Sequence, residues 1–161
     1  MALIRALLLA VTLTACATSA REPSAATALA PLIGCWNGAF EDNAAVLDER
    51  CFERNGDVVR DTHFVRPTTY SGQSTYAFDS AESALVFTYV ASDGGSERGV
   101  FHVEGNVLVF DPNTYVGGDG QTLRLRSRWV IESTDRYVAT TEVEQGGAWR
   151  PWSRVTYTRT R

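Results

Sequence analysis

From residue 32 to residue 158, apolar side chains recur at alternate positions, and short clusters of turn-forming residues interrupt them again and again. The interruptions are Asp42-Asn43, Asn55-Gly56, residues 79–83, Asp93-Gly94-Gly95, Gly105-Asn106, residues 117–120, Thr134-Asp135 and Gly146-Gly147. A period of two sends successive side chains to opposite faces of an extended strand. The segments between turns therefore predict strands at 33–40, 46–54, 58–66, 69–78, 85–91, 97–103, 107–110, 122–132, 137–144 and 149–158. Links this short force neighbouring strands to run antiparallel. A long antiparallel meander must deal with its two free edges, and closure removes them. The expected fold is all-β: an up-and-down barrel or half-barrel of nine to ten strands, with a two-sheet sandwich as the alternative.

Composition agrees and narrows the chemistry. The 161 residues are 44% hydrophobic and 21% charged, enough for one core. Thirteen glycines, four tryptophans, six tyrosines and seven phenylalanines suit short strands and tight turns. The net charge of −4 gives no attraction to nucleic acid, whose phosphates need a basic surface. All fifteen basic residues are arginine, which excludes chemistry through a lysine Schiff base.

The N-terminus reads as an address. Arg5 precedes an apolar run too short to cross a bilayer as a helix, which needs about 20 residues. Residues 1–15 are expected to be a signal peptide. Leu13-Thr14-Ala15-Cys16 resembles the lipobox of bacterial lipoproteins, in which the cysteine receives lipid and becomes the mature N-terminus. That resemblance implies a membrane anchor on Cys16. With Ala17 next, rather than aspartate, it implies an outer-membrane lipoprotein facing the periplasm of a bacterial envelope. Residues 16–30 are small and polar and predict a flexible tether, with a helical turn allowed at its end, and residues 31–161 form the barrel domain.

The first strand carries Gly34-Cys35-Trp36, and its Gly-x-Trp pattern resembles the lipocalin and calycin signature. With Arg60-Asp61-Thr62-His63 and the closing segment Trp152-Ser153-Arg154-Val155, it is similar to small bacterial calycin-like domains grouped as domain of unknown function 1579. The resemblance implies a barrel whose end is closed by Trp36, stacked on an arginine from a late strand; Arg154 is the expected partner.

Cys35 and Cys51 face each other if the first hairpin turns near Asn43. Parity puts Trp36, Phe40 and Phe52 inside and Cys35, Cys51, Glu49 and Glu53 outside. In an oxidising compartment a disulfide is expected; two free thiols, or a zinc site with His63 and His102, are the alternatives. Neither the cysteines nor the histidines form the close pairs of zinc sites, so no metal is expected. No cofactor is expected either. Some calycin-like barrels bind haem through histidine, but neither His63 nor His102 matches that motif.

Asp61 and His63 share a strand face and would allow acid–base chemistry, but no nucleophile is tied to them. A cavity-wall or surface histidine is the simpler expectation, and the chain is expected not to be an enzyme. Arg124, Arg126 and Arg128 form a row on one face of a strand; outward, the expected orientation, it would pair with Glu142 and Glu144, and inward, the alternative, it would line a cavity for a carboxylate or phosphate group. Tyr70, Tyr76, Phe78, Phe87, Tyr89 and Trp129 are the expected ligand-binding walls. The expected function is binding of a small, partly apolar ligand in the barrel; a non-enzymatic envelope scaffold with a filled barrel is the alternative.

Overall fold

The computed structural model describes residues 24–160; the signal peptide, Cys16 and the first part of the expected tether lie outside the described residues. Ten antiparallel strands close into one up-and-down barrel. They are β1 (Gly34–Phe40), β2 (Leu47–Asn55), β3 (Val58–Arg66), β4 (Ser71–Asp79), β5 (Ala84–Ala91), β6 (Ser96–Glu104), β7 (Val107–Val116), β8 (Thr122–Ser133), β9 (Arg136–Gln145) and β10 (Ala148–Arg159). Each strand pairs with its neighbour in sequence, and β1 pairs with β10 to complete the ring. Four links are two residues long, and in one of them, Gly146-Gly147, both residues are at positive φ, the backbone that a type I′ hairpin requires.

Two strands contain proline, which cannot donate to a ladder. Both prolines sit beside irregularities. On β7 the register shifts between Phe110 and Asn113, around Pro112, and on β10 between Pro151 and Ser153. Sequence ends the seventh strand at residue 110, just before Pro112. The structure carries it on to Val116, because the bulge absorbs one residue and lets pairing resume. The bulge also changes parity: Leu108 and Phe110 point inward before it, Asn113 and Tyr115 after it.

One end of the barrel is plugged. A short helix, α1 (Ala25–Ala28), and a 3-10 turn at Ala30–Leu32 pack across it. Ser24 caps the helix by accepting from the Thr27 N–H, and the Ala26 N–H donates to Asp57 O. Ala25, Ala26, Leu29 and Leu32 are buried. The expectation of a tether through residue 30 is thus corrected for residues 24–30. Their small apolar side chains fit beneath the barrel, and Leu29 and Leu32 lose their contact with water there.

Trp36 rises from β1 into this plug. Its indole N–H donates to Leu32 O at 2.7 Å, and its ring meets Tyr137 edge-on at 4.8 Å. The arginine over the indole is Arg159, with its guanidinium carbon 4.1 Å from the ring centre. Arg154 is not the partner: it is exposed and paired with Glu41. Register explains the correction, since Trp36 lies directly opposite Arg159 across the closing pair. Val155, Tyr157 and Arg159 share the inward parity, and Arg154 falls on the outer face. Arg159 also donates to Ile33 O at 2.6 Å and Pro31 O at 2.7 Å, tying the plug to the last strand.

Outside, Cys35 and Cys51 lie opposite each other on β1 and β2 and form a disulfide. The arginine row also faces outward. Arg124 pairs with Glu144, Arg126 with Glu142 and Arg128 with Glu104. Such exposed pairs contribute little individually.

Candidate functional site

The barrel interior is layered. Next to the plug it is filled by Trp36, Tyr137, Phe101, Leu108 and Val59. Beyond them, towards the opposite end, inward positions of β2 and β3 become charged. Parity sends Asp48, Arg50 and Phe52 inward from β2, and Asp61 and His63 from β3. Register sets Arg50 beside His63 and Phe52 beside Asp61.

A chain of hydrogen bonds links these groups. His63 Nδ1 lies 2.9 Å from Asp48 Oδ1, and its Nε2 lies 3.0 Å from the Tyr89 hydroxyl. Tyr89 in turn lies 2.7 Å from the Tyr70 hydroxyl. Tyr157 donates to the other Asp48 oxygen, and Tyr76 donates to Asp61 Oδ2 at 2.6 Å. Arg50 Nη2 is 3.5 Å from Asp48, and its Nη1 is 3.9 Å from Asp61. The Arg50 guanidinium also lies over Trp129 and Tyr157 at 5.4 and 5.7 Å.

Burial alone would raise the Asp48 carboxyl. The Arg50 charge and the His63 and Tyr157 hydrogen bonds outweigh it and hold Asp48 below its ordinary value. Burial keeps the phenols of Tyr76, Tyr137 and Tyr157 well above theirs; Tyr76 and Tyr157 donate to the carboxylates, and the buried Tyr137 hydroxyl has no hydrogen-bond partner. Burial and the Tyr70 hydrogen bond do the same for Tyr89. Arg50 Nε and Asp61 Oδ1 are buried without a hydrogen-bond partner.

His63 is thus a cavity-wall histidine paired with a neighbour, the simpler expectation, and the Asp61–His63 dyad that the shared face would allow is not formed. Both side chains point inward, but His63 bonds Asp48, and Asp61 is bonded by Tyr76. Alternation alone gives the shared face; which carboxylate reaches the imidazole depends on the adjacent strand. Both ring nitrogens of His63 are engaged within the network.

Above this network lies a hollow of about 150 Å3. Arg50, His63, Ser74, Glu97 and Ser127 supply its polar lining, and Tyr76, Phe87, Tyr89, Phe110 and Trp129 its aromatic walls. Four of the six expected wall residues, Tyr76, Phe87, Tyr89 and Trp129, meet here. Tyr70 does not line the hollow itself but meets two residues that do, hydrogen-bonding Tyr89 and packing edge-on against His63, and Phe78 packs against the core instead. Tyr89, opposite Ser74 in the β4–β5 register, lays its ring diagonally over Gly72, where a methyl group would lie 2.3 Å from the phenol, so glycine makes room for the ring.

Arg50, Ser74, Glu97, Phe110 and Ser127 were not anticipated. For Arg50 the signal was present, because the parity that turns Phe52 inward turns Arg50 inward as well. Glu97 gave the same signal, since the parity that turns Phe101 inward turns Glu97 inward as well, but its neighbours Asn113 and Tyr115 reach the interior only through the β7 bulge.

A larger concavity, about 790 Å3, lies outside the barrel between α1 and the β6–β7 hairpin. Leu85, Phe101, Val103, Val107 and Ile131 line it. Its lining is mainly apolar, with Ser24, Thr27, His102 and Asn106 among its polar members, whereas in the interior hollow ionisable groups meet five aromatic rings, which makes the smaller space the better candidate. Among the described residues, no cluster of three histidine, cysteine, aspartate or glutamate side chains is placed to hold a metal ion.

No family model matches this chain, and no curated protein matches it. Among solved structures, the crystal structure of Rv2717c from M. tuberculosis is similar, with a TM-score of 0.57 at 17% identity. The match covers 84% of this chain and 97% of that one. At that identity the likeness shows a shared barrel fold and nothing finer.

Proposed function

We propose that this protein binds a small, partly apolar ligand inside the barrel. The observation that carries the proposal is the hollow of about 150 Å3 in which aromatic walls and polar groups converge. A dry cavity of about that volume accepts a single benzene ring. The ligand is therefore small, one ring or its equivalent, because the filled layer above the plug leaves no room for a long chain. The scaffold alternative draws support from that filled layer, and the same measurement separates the two.

The N-terminal lipobox resemblance supports a lipid anchor at Cys16 and a periplasm-facing position on the outer membrane, with calycin-like relatives. Ser24, where the described chain begins, lies at the plugged end beside the apolar groove. An anchor would leave the hollow near the opposite end of the barrel free to solvent.

The test is binding of single-ring and two-ring aromatic fragments, followed by amide chemical shifts and tryptophan fluorescence. Single-ring fragments should bind with shifts around Trp129 and Tyr89, and two-ring fragments should not. Ser127→Phe should fill the hollow and abolish binding while leaving the fold intact. Absence of binding by every fragment would favour the scaffold.

A further inference from the structure

The charges around the hollow do not balance. Asp48 and Asp61 both approach Arg50, so its one positive charge already answers two carboxylates. His63 adds a second positive charge only when protonated, and it lies on Asp48. Glu97 enters from β6 on another part of the wall. Among the described residues it forms no ion pair; its hydrogen-bonding neighbour is Asn113, which is neutral. Tyr89 on β5 and Tyr115 on β7 flank it across the sheet, Arg50 and His63 share the hollow with it, and Asp93 lies beyond Tyr115.

We infer that the hollow selects a small organic cation, an amine or quaternary ammonium of about one ring's bulk, with Glu97 as its counter-ion. The inference rests on the binding proposal and gives its ligand a charge. Five aromatic rings line the space, and ring faces attract a cation and repel an anion. An anionic ligand would add a fourth negative group to three carboxyls and at most two positive charges. Burial pushes the Glu97 carboxyl up to about 7, as expected of an acid that lacks a positive neighbour. A bound cation would supply one and draw the proton off.

The experiment compares three probes of nearly equal size: benzylamine, benzyl alcohol and benzoate. Calorimetry and amide shifts are recorded with the purified protein at about pH 5.5 and about pH 8, on either side of the Glu97 transition. At the higher pH benzylamine should bind at least about tenfold more tightly than benzyl alcohol, with benzoate weakest. The advantage should shrink at the lower pH. Glu97→Gln should remove it at both, with amide shifts of residues outside the hollow matching the parent and so reporting an intact fold. Glu97→Asp should restore part of it, and the wild-type pH profile needs no variant at all. Benzyl alcohol or benzoate binding as tightly as benzylamine at the higher pH would overturn the cation inference and leave the binding proposal standing. Failure of all three probes would overturn both.

Discussion

Replacing Glu97 with glutamine isolates a single buried acid and gives a result whose sign is fixed in advance. The Glu97 carboxyl titrates near 7 in the folded chain, against an ordinary value of 4.5, because burial disfavours its charged form. Folding therefore favours the protonated acid. The stability this confers is complete below about pH 4.5, declines as the pH rises, and is gone above about pH 7. Each pH unit of displacement corresponds to about 1.4 kcal/mol, and partial contact with solvent trims the total to about 2–3 kcal/mol. Glutamine has nearly the same shape and no charge to lose. Urea unfolding of both proteins, followed by tryptophan fluorescence from about pH 4.5 to about pH 8.5, cancels every titration that they share. The stability of Glu97→Gln relative to the parent should climb by about 2–3 kcal/mol across that range, most steeply between about pH 5 and about pH 7. A difference that stays flat to within about 0.5 kcal/mol would show that Glu97 is solvated, and the charge accounting of the hollow would fail with it.

Other expectations follow from the same structure. Removing the disulfide with paired Cys35→Ser and Cys51→Ser changes should cost about 3 kcal/mol in urea unfolding under oxidising conditions, and the difference should vanish when both proteins are reduced. Arg159→Ala should cost about 2 kcal/mol, because it removes the stack on Trp36 and the bonds to Pro31 O and Ile33 O. Arg154→Ala should cost less than about 0.5 kcal/mol by the same measurement, since its partner Glu41 is exposed. Asp48→Asn should destabilise by roughly 3 kcal/mol at neutral pH, since it strips Arg50 and His63 of a buried partner. The Asp48 carboxyl is held below its ordinary 3.8, so the stability it confers is present above that value and lost as the pH falls further. The gap between variant and parent should therefore narrow in acid.

Much of the barrel was legible before any coordinates because its signals are local. A period of two and recurring turn residues are properties of adjacent positions, and they yielded nine to ten strands in antiparallel order and the three arginines on one strand face, which the structure turns outward. The Cys35–Cys51 pair was equally legible, since a single hairpin sets its register. The same signals turned Tyr76, Phe87, Tyr89 and Trp129 towards the interior, because a side chain's face follows from its parity.

What escaped depends on contacts between distant parts of the chain. Arg159 rather than Arg154 meets Trp36 because of the register between the first and last strands, fixed only when the ring closes. His63 found Asp48 on the neighbouring strand instead of Asp61 on its own. The bulge at Pro112 moved Asn113 and Tyr115 to the inner face, against strict alternation, and so built the wall around Glu97. Residues 24–30 are largely apolar but mostly alanine, with Leu29 their one large side chain, which announces no packed plug, and they become one only because the barrel end offers them a surface. The sequence by itself determined which elements form and which way most side chains face, through steric rules that act between neighbours. Only closure of the sheet decided which charges share the interior and how much space they enclose, because register, bulges and the plug are settled by the sum of contacts around the whole ring.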